Sequence, residues 1–345
     1  MQVNVRNNKF TYLRAIACVA IVLLHTLFTA VGLYGYTVEN PADLLSYRIV
    51  IDNLMWAVPC FLMVTGALLL NRNKEISYDK LFKKYILRIL LAIVVFGAVF
   101  AIIDTFYGQE PASLSVFLNQ MKEIWTGKTW SHMWYLYCLI GLYLLLPFYK
   151  KIVNGSSKKE IMYLMVLYVI FLSVIPLIGG WDIHTGFYIH VSTVYPLYFF
   201  AGFYLNEYRD YSKKLSVIIL ILITLNLAIL SCISWYGTRD ILGGFFEYNS
   251  LLVIIQSCSA FMIFMTMKDK ESGFMGKLLT AIDKNGFGIY LVHMILVRYI
   301  FKQMQINPFE MGGWLCIMAI IAVVMILSWI IVAVLKKVPG LKIIF

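Results

Sequence analysis

Ten continuous apolar runs divide this chain, at about 10–33, 50–70, 86–106, 133–149, 161–179, 194–206, 215–236, 248–267, 286–305 and 313–335. Such runs leave few ways to fold. About 20 apolar residues suffice to cross the hydrocarbon core of a bilayer as a helix. In lipid the protein must satisfy every backbone N–H and C=O itself, which admits only helices or closed barrels. Barrel strands alternate apolar and polar residues, and these runs do not. The expected fold is therefore an all-α polytopic membrane bundle of about ten transmembrane helices, one membrane-embedded domain over residues 1–345. Composition agrees: 61% of residues are hydrophobic and 14% charged, against roughly a quarter charged in a soluble domain. Runs 133–149 and 194–206 are short, and are expected to tilt or to be extended by flanking aromatics such as Tyr188 and Tyr198. The first run is too long for a signal-peptide core and lacks a small-residue cleavage site, so it reads as a retained span.

The net charge of +11 is unevenly placed. Basic residues crowd alternate connections: Arg6 and Lys9; Arg72 to Arg88; Lys150 to Lys159; Arg209 to Lys214; Lys268, Lys270, Lys277 and Lys284; and Lys336 to Lys342. The other connections hold Arg48, Lys122, Lys128 and Arg239, with Lys302 near a span end. This positive-inside bias places both termini in the cytoplasm. It also assigns the surplus charge to topology and membrane-lipid headgroups, with no nucleic-acid partner. The six cysteines lie inside apolar runs without a CxxC pair. They read as buried small hydrophobes, with no metal site. Residues 72–88 read as an amphipathic segment leading into the third span. Residues 107–132, with Trp125 and Trp130, form an outer loop long enough to be functional.

The first run holds two ionisable residues, Arg14 and His25. Such groups are costly inside a bilayer and are functional candidates for that reason. Eleven residues is close to three helical turns, so both face one way, roughly 16 Å apart along the axis. Arg14, near the cytoplasmic end, suits the phosphates of an anionic carrier. His25, in the outer half, suits a general base. Coenzyme A has the long, thin shape to bridge them. Structural roles compete: an arginine one turn inside a span can snorkel, and a lone histidine can simply pack. Cys18, one turn above Arg14, is chemically able to carry an acyl group, but only Arg14 would favour its thiolate. Asp52 would orient His25 if their helices were adjacent; otherwise it is an interfacial carboxylate, as Asp104 and Glu247 are near outer span ends.

Four stretches together are similar to the membrane-bound acyltransferase-3 family. Arg14 and His25 match its Arg-x10-His signature. Val58-Pro59-Cys60-Phe61 through Thr65-Gly66 resembles its VPxFFxxSG, with Thr65 as a departure. His132-Met133-Trp134-Tyr135 resembles its HLWY, and Gly288-Ile289-Tyr290-Leu291-Val292-His293 its IYLxH. The resemblance implies a multi-pass protein of a bacterial inner or cytoplasmic membrane. It implies an acyl-CoA donor, usually acetyl-CoA, with no permanently bound cofactor, and an acceptor hydroxyl on a glycan or lipid-linked saccharide. It makes Arg14 and His25 essential and Arg88 a second phosphate contact, although Tyr85 stands where many relatives carry another arginine. It places His132, Trp134, Tyr135, Tyr290 and His293 on the acceptor side, although a core hydrogen-bonding role for His293 competes. The stand-alone length and the fourth-span motif are most similar to the O-acetyltransferases of enterobacterial common antigen. No esterase-like domain is expected after the last run. The alternative is a transporter or flippase using Arg14, His25 and Asp52 as an ion or proton pathway. It calls for paired broken helices in two related halves, which the sequence does not display. A sensory or scaffold protein would leave the Arg14–His25 pair without a purpose.

Overall fold

The apolar runs fold as helices. The computed structural model describes residues 8–107, 113–179, 193–236, 243–267 and 273–345, and among them there is no strand. Arg6, Tyr188, Arg239, Lys268 and Lys270 lie outside the described residues. In chain order the helices are α1 (Asn8–Tyr34), α2 (Leu45–Asn53), α3 (Ala57–Leu69), α4 (Tyr78–Lys80), α5 (Leu87–Tyr107), α6 (Leu114–Thr126) and α7 (Trp134–Gly155). There follow α8 (Lys158–Val169), α9 (Ile175–Gly179), α10 (Tyr195–Tyr208), α11 (Lys213–Tyr236), α12 (Leu251–Met265), α13 (Phe274–Arg298) and α14 (Trp314–Leu335). Eight helical segments among the described residues are long and apolar enough to cross a membrane. The chain is an all-α polytopic membrane protein.

Two of the ten runs fall outside those eight, for different reasons. Helix α10 has 14 residues, and Pro196 to Phe203 are all buried within it. A helix apolar on every side belongs inside a bundle. It lies against α3 with backbones almost touching: a Cβ on Gly202 would come within 1.9 Å of the Met63 carbonyl oxygen, and one on Gly66 within 2.0 Å of that of Phe199. Gly66 of the Val58–Gly66 motif is thus a packing residue. Helix α13 starts at Phe274, well before its apolar run, because Lys277, Asp283 and Lys284 interrupt the hydropathy without breaking the helix. It packs chiefly on α1 and α14.

The segment before α5 is part of the same helical rod. Ser77 caps α4 by accepting from the Lys80 amide (3.3 Å), and a π turn at Leu81–Ile86 joins α4 to α5. Single π turns inside helices recur at functional sites. The 107–132 connection contains the amphipathic α6, capped by Ser113 and ended by Gly127 at φ 71°. Ile124 is the buried residue of α6 and presses on Gly97 of α5, where a Cβ would meet it at 2.8 Å. Trp125 is 78% exposed, whereas Trp130 is buried.

Candidate active site

Arg14, Cys18, Ile21, Val22 and His25 recur every three or four residues on one face of α1, and all line one cavity of about 300 Å³. Helix α3 contributes Val58, Phe61 and Thr65, one residue from the glycine that locks α3 to α10. Because α3, α5, α7 and α13 each add one wall, the cavity depends on the whole bundle.

Fixed charge gathers at one end. The Arg14 Nε and Nη2 donate to the two carboxylate oxygens of Asp283, at 2.7 and 2.9 Å. The side chain of Asp283 is 3% exposed and that of Arg14 27%. This forked pairing fixes the guanidinium plane and leaves its remaining N–H groups for another partner. Arg88 lines the same cavity. Its Nε donates to the Ile344 carbonyl (2.7 Å), its Nη2 to Phe345 O (3.3 Å), and its guanidinium sits 4.7 Å from the Phe287 ring centroid.

Three imidazoles gather at the other end. The His25 ring centroid is 5.3 Å from that of His293 and 6.2 Å from that of His132, and His132 and His293 are 5.5 Å apart. His25 and His132 line the cavity, and His293 stands behind them. The carbonyl of Ile289 can only accept, so the His293 Nδ1 at 3.0 Å donates to it and Nε2 is the bare nitrogen. That Nε2, and both ring nitrogens of the buried His132, have no partner among the described residues. Unmet buried polar atoms are expensive, and a ligand reaching this end would supply the missing partner. Among the described residues no set of His, Cys, Asp or Glu side chains is arranged to hold a metal ion.

Aromatic residues complete this end. Tyr290 donates its hydroxyl to the His132 carbonyl and so ties α13 to the turn preceding α7. Trp134 lies 5.2 Å from Tyr195 and 5.5 Å from Tyr248, and Trp134, Tyr135, Tyr248 and Tyr290 all face the cavity. Of the other candidates, Cys18 lines the cavity with its thiol 3.9 Å from the Gly286 carbonyl. Asp52 is bound by Arg48 (3.0 Å) and Ser231 (2.8 Å) and does not line the cavity. Asp283, Tyr143 and Tyr248 also line it; sequence reasoning passed over all three. A carboxylate three residues before Gly286 was the one usable signal, and its flanking lysines disguised it as a loop.

A family model for the acyltransferase domain, acyltransferase-3, matches residues 7–333. The match covers nearly the whole chain, and the protein belongs to the acyltransferase-3 family, which supports a membrane acyltransferase. No curated protein and no solved structure matches it.

Proposed function

We propose that the protein transfers an acyl group, most simply acetyl, from cytoplasmic acyl-CoA to a hydroxyl of a cell-surface or lipid-linked glycan. The observation that supports this reading best is that Arg14 and His25 line one cavity, with paired charge at one end and ring nitrogens of His132 and His293 without partners among the described residues at the other. The donor's phosphates meet the free edge of the Arg14 guanidinium, with Arg88 on the adjoining wall. The thioester then lies towards His25. The acceptor hydroxyl oxygen attacks the thioester carbonyl carbon while a His25 ring nitrogen takes its proton. The tetrahedral intermediate collapses, the C–S bond breaks, and the imidazolium returns the proton to the thiolate. The ester product and free coenzyme A leave. His132, Trp134, Tyr135, Tyr290 and His293 position the acceptor. The positive-inside pattern supports a cytoplasmic Arg14 end, where the donor would enter, and a bacterial inner or cytoplasmic membrane is what the family resemblance implies.

Membranes containing the protein, incubated with acetyl-labelled acetyl-CoA, are expected to transfer label to saccharide, and control membranes are not. Equal labelling in both would defeat the proposal. Asp283 acts in this scheme by aiming Arg14. Asp283→Asn is expected to raise the acetyl-CoA KM about tenfold, worth about 1.4 kcal/mol, with a much smaller change in kcat. An unaltered KM would show that Asp283 does not aim Arg14 at the donor.

A further inference from the structure

A second, larger hollow is lined in part by Asp104 and Arg298, which both touch Trp130. It is an open cleft of about 1190 Å³, beyond the usual size of a small-molecule site. Helix α6 lends it Asn119, Gln120 and Glu123, and the turn after α13 lends Gln303, Gln305 and Asn307. The side-chain amides of Asn119, Gln120, Gln303 and Gln305 make no hydrogen bond to any described residue. Charge in the cleft nearly cancels. Asp104 pairs with Arg298 at 3.1 Å, the Glu310 carboxylate accepts from Asn307 at 2.7 Å, and Glu123 and Lys302 have opposite signs. Tyr36 and Tyr107 also line it, both largely exposed.

The backbone is irregular where it presents these groups. Tyr299–Gln303 is a π turn, and Gln305 has φ 52°, a left-handed conformation uncommon outside glycine. Irregularities of both kinds concentrate at binding sites. Planar amides, a carboxylate and phenol rings suit a molecule dense in hydroxyls. A lipid chain would bury the amides unpaired, and a polyanion would meet Glu123 with no excess of cations to offset it.

We infer that this cleft binds the sugar chain of the acceptor, as a neutral saccharide several units long. The inference rests on the acyl-transfer reading above and supplies its acceptor site. Trp130 touches residues of both cleft and cavity. Its ring stacks on Phe100 at 4.2 Å, lies 4.1 Å from the Arg298 guanidinium and is 6.3 Å from the His132 ring, while its Nε1 donates to Asp104 at 2.6 Å. A sugar held against Asp104 and Arg298 touches the groups that hold this ring in place.

The test uses the full chain in lipid nanodiscs, with chitotetraose and maltotetraose as neutral probes and tetragalacturonate as the anionic one. A neutral probe is expected to bind at least tenfold more tightly than tetragalacturonate. That binding should fall at least tenfold in the double variant Asn119→Ala/Gln120→Ala and in Gln303→Ala/Gln305→Gly on the facing wall. Equal binding of the three probes, or wild-type binding by both double variants, overturns the inference. Acetyl transfer measured on the same preparations separates the two readings. If transfer proceeds and both double variants keep the wild-type acceptor KM, the cleft is not the acceptor site and acyl transfer stands. If no preparation transfers acetyl but the neutral probes bind as expected, acyl transfer falls and saccharide binding stands.

Discussion

Alanine at His25 is expected to lower kcat for acetyl transfer by about 10²- to 10⁴-fold, the contribution of a positioned general base, with the amount of protein in the membrane unchanged. The loss corresponds to roughly 3–5 kcal/mol of transition-state stabilisation. It should be that large because no neighbour is placed to substitute. His293 commits its Nδ1 to the Ile289 carbonyl and lies behind the cavity wall. His132 sits 6.2 Å away, centroid to centroid, with its ring nearly perpendicular. His25→Gln keeps a polar side chain of similar size but cannot exchange the proton, and should be as inactive as His25→Ala. Transfer by His25→Gln within about threefold of wild type, far short of a general base's contribution, would remove the base from the mechanism. Labelled acetyl appearing on saccharide over time is the measurement.

Gly202→Val is expected to be the most damaging substitution for folding. The added Cβ would meet the Met63 carbonyl at 1.9 Å, and a backbone atom cannot rotate away as a side chain can. Helices α3 and α10 would have to part. Lipid offers no hydrophobic reward for keeping helices together, so close packing through small residues does that work. The expected cost is about 4 kcal/mol, at the severe end for single substitutions. It should appear as loss of monodisperse protein in mild detergent and a collapse of the thermal transition. Gly66→Val, which strikes the Phe199 carbonyl from the other side, should behave alike. Wild-type melting in both variants would contradict the crossing. Because Phe61 and Thr65 line the cavity beside this contact, milder changes at Gly66 should also weaken donor and acceptor affinity together.

These two cases mark how far the sequence could be read. Helices were legible because lipid forces a long apolar run to satisfy its own backbone, so all ten runs emerged as helical. The shared face of Arg14 and His25 was legible because it follows from helical pitch alone. Asp283 was not, since its partner is 269 positions away and the lysines around it suggest a connection. The meeting of His25, His132 and His293 needs three helical segments in one register, which local periodicity does not encode. Gly66 was read only as part of a motif, because the carbonyl it must avoid belongs to Phe199. Residues 72–88 read correctly as an amphipathic lead into the third span, whereas 107–132 read as a loop because its polar residues mask the apolar face of α6.

The forked bond between Arg14 and Asp283 also sets a timetable. A ribosome adds roughly 5–20 residues per second, so the guanidinium waits about 13–54 s for its carboxylate to be synthesised. During that interval the nascent first helix holds an uncompensated cation, which headgroups or the translocon must shelter. Chains interrupted before residue 283 never gain that relief, and should be retained by the insertion machinery or degraded.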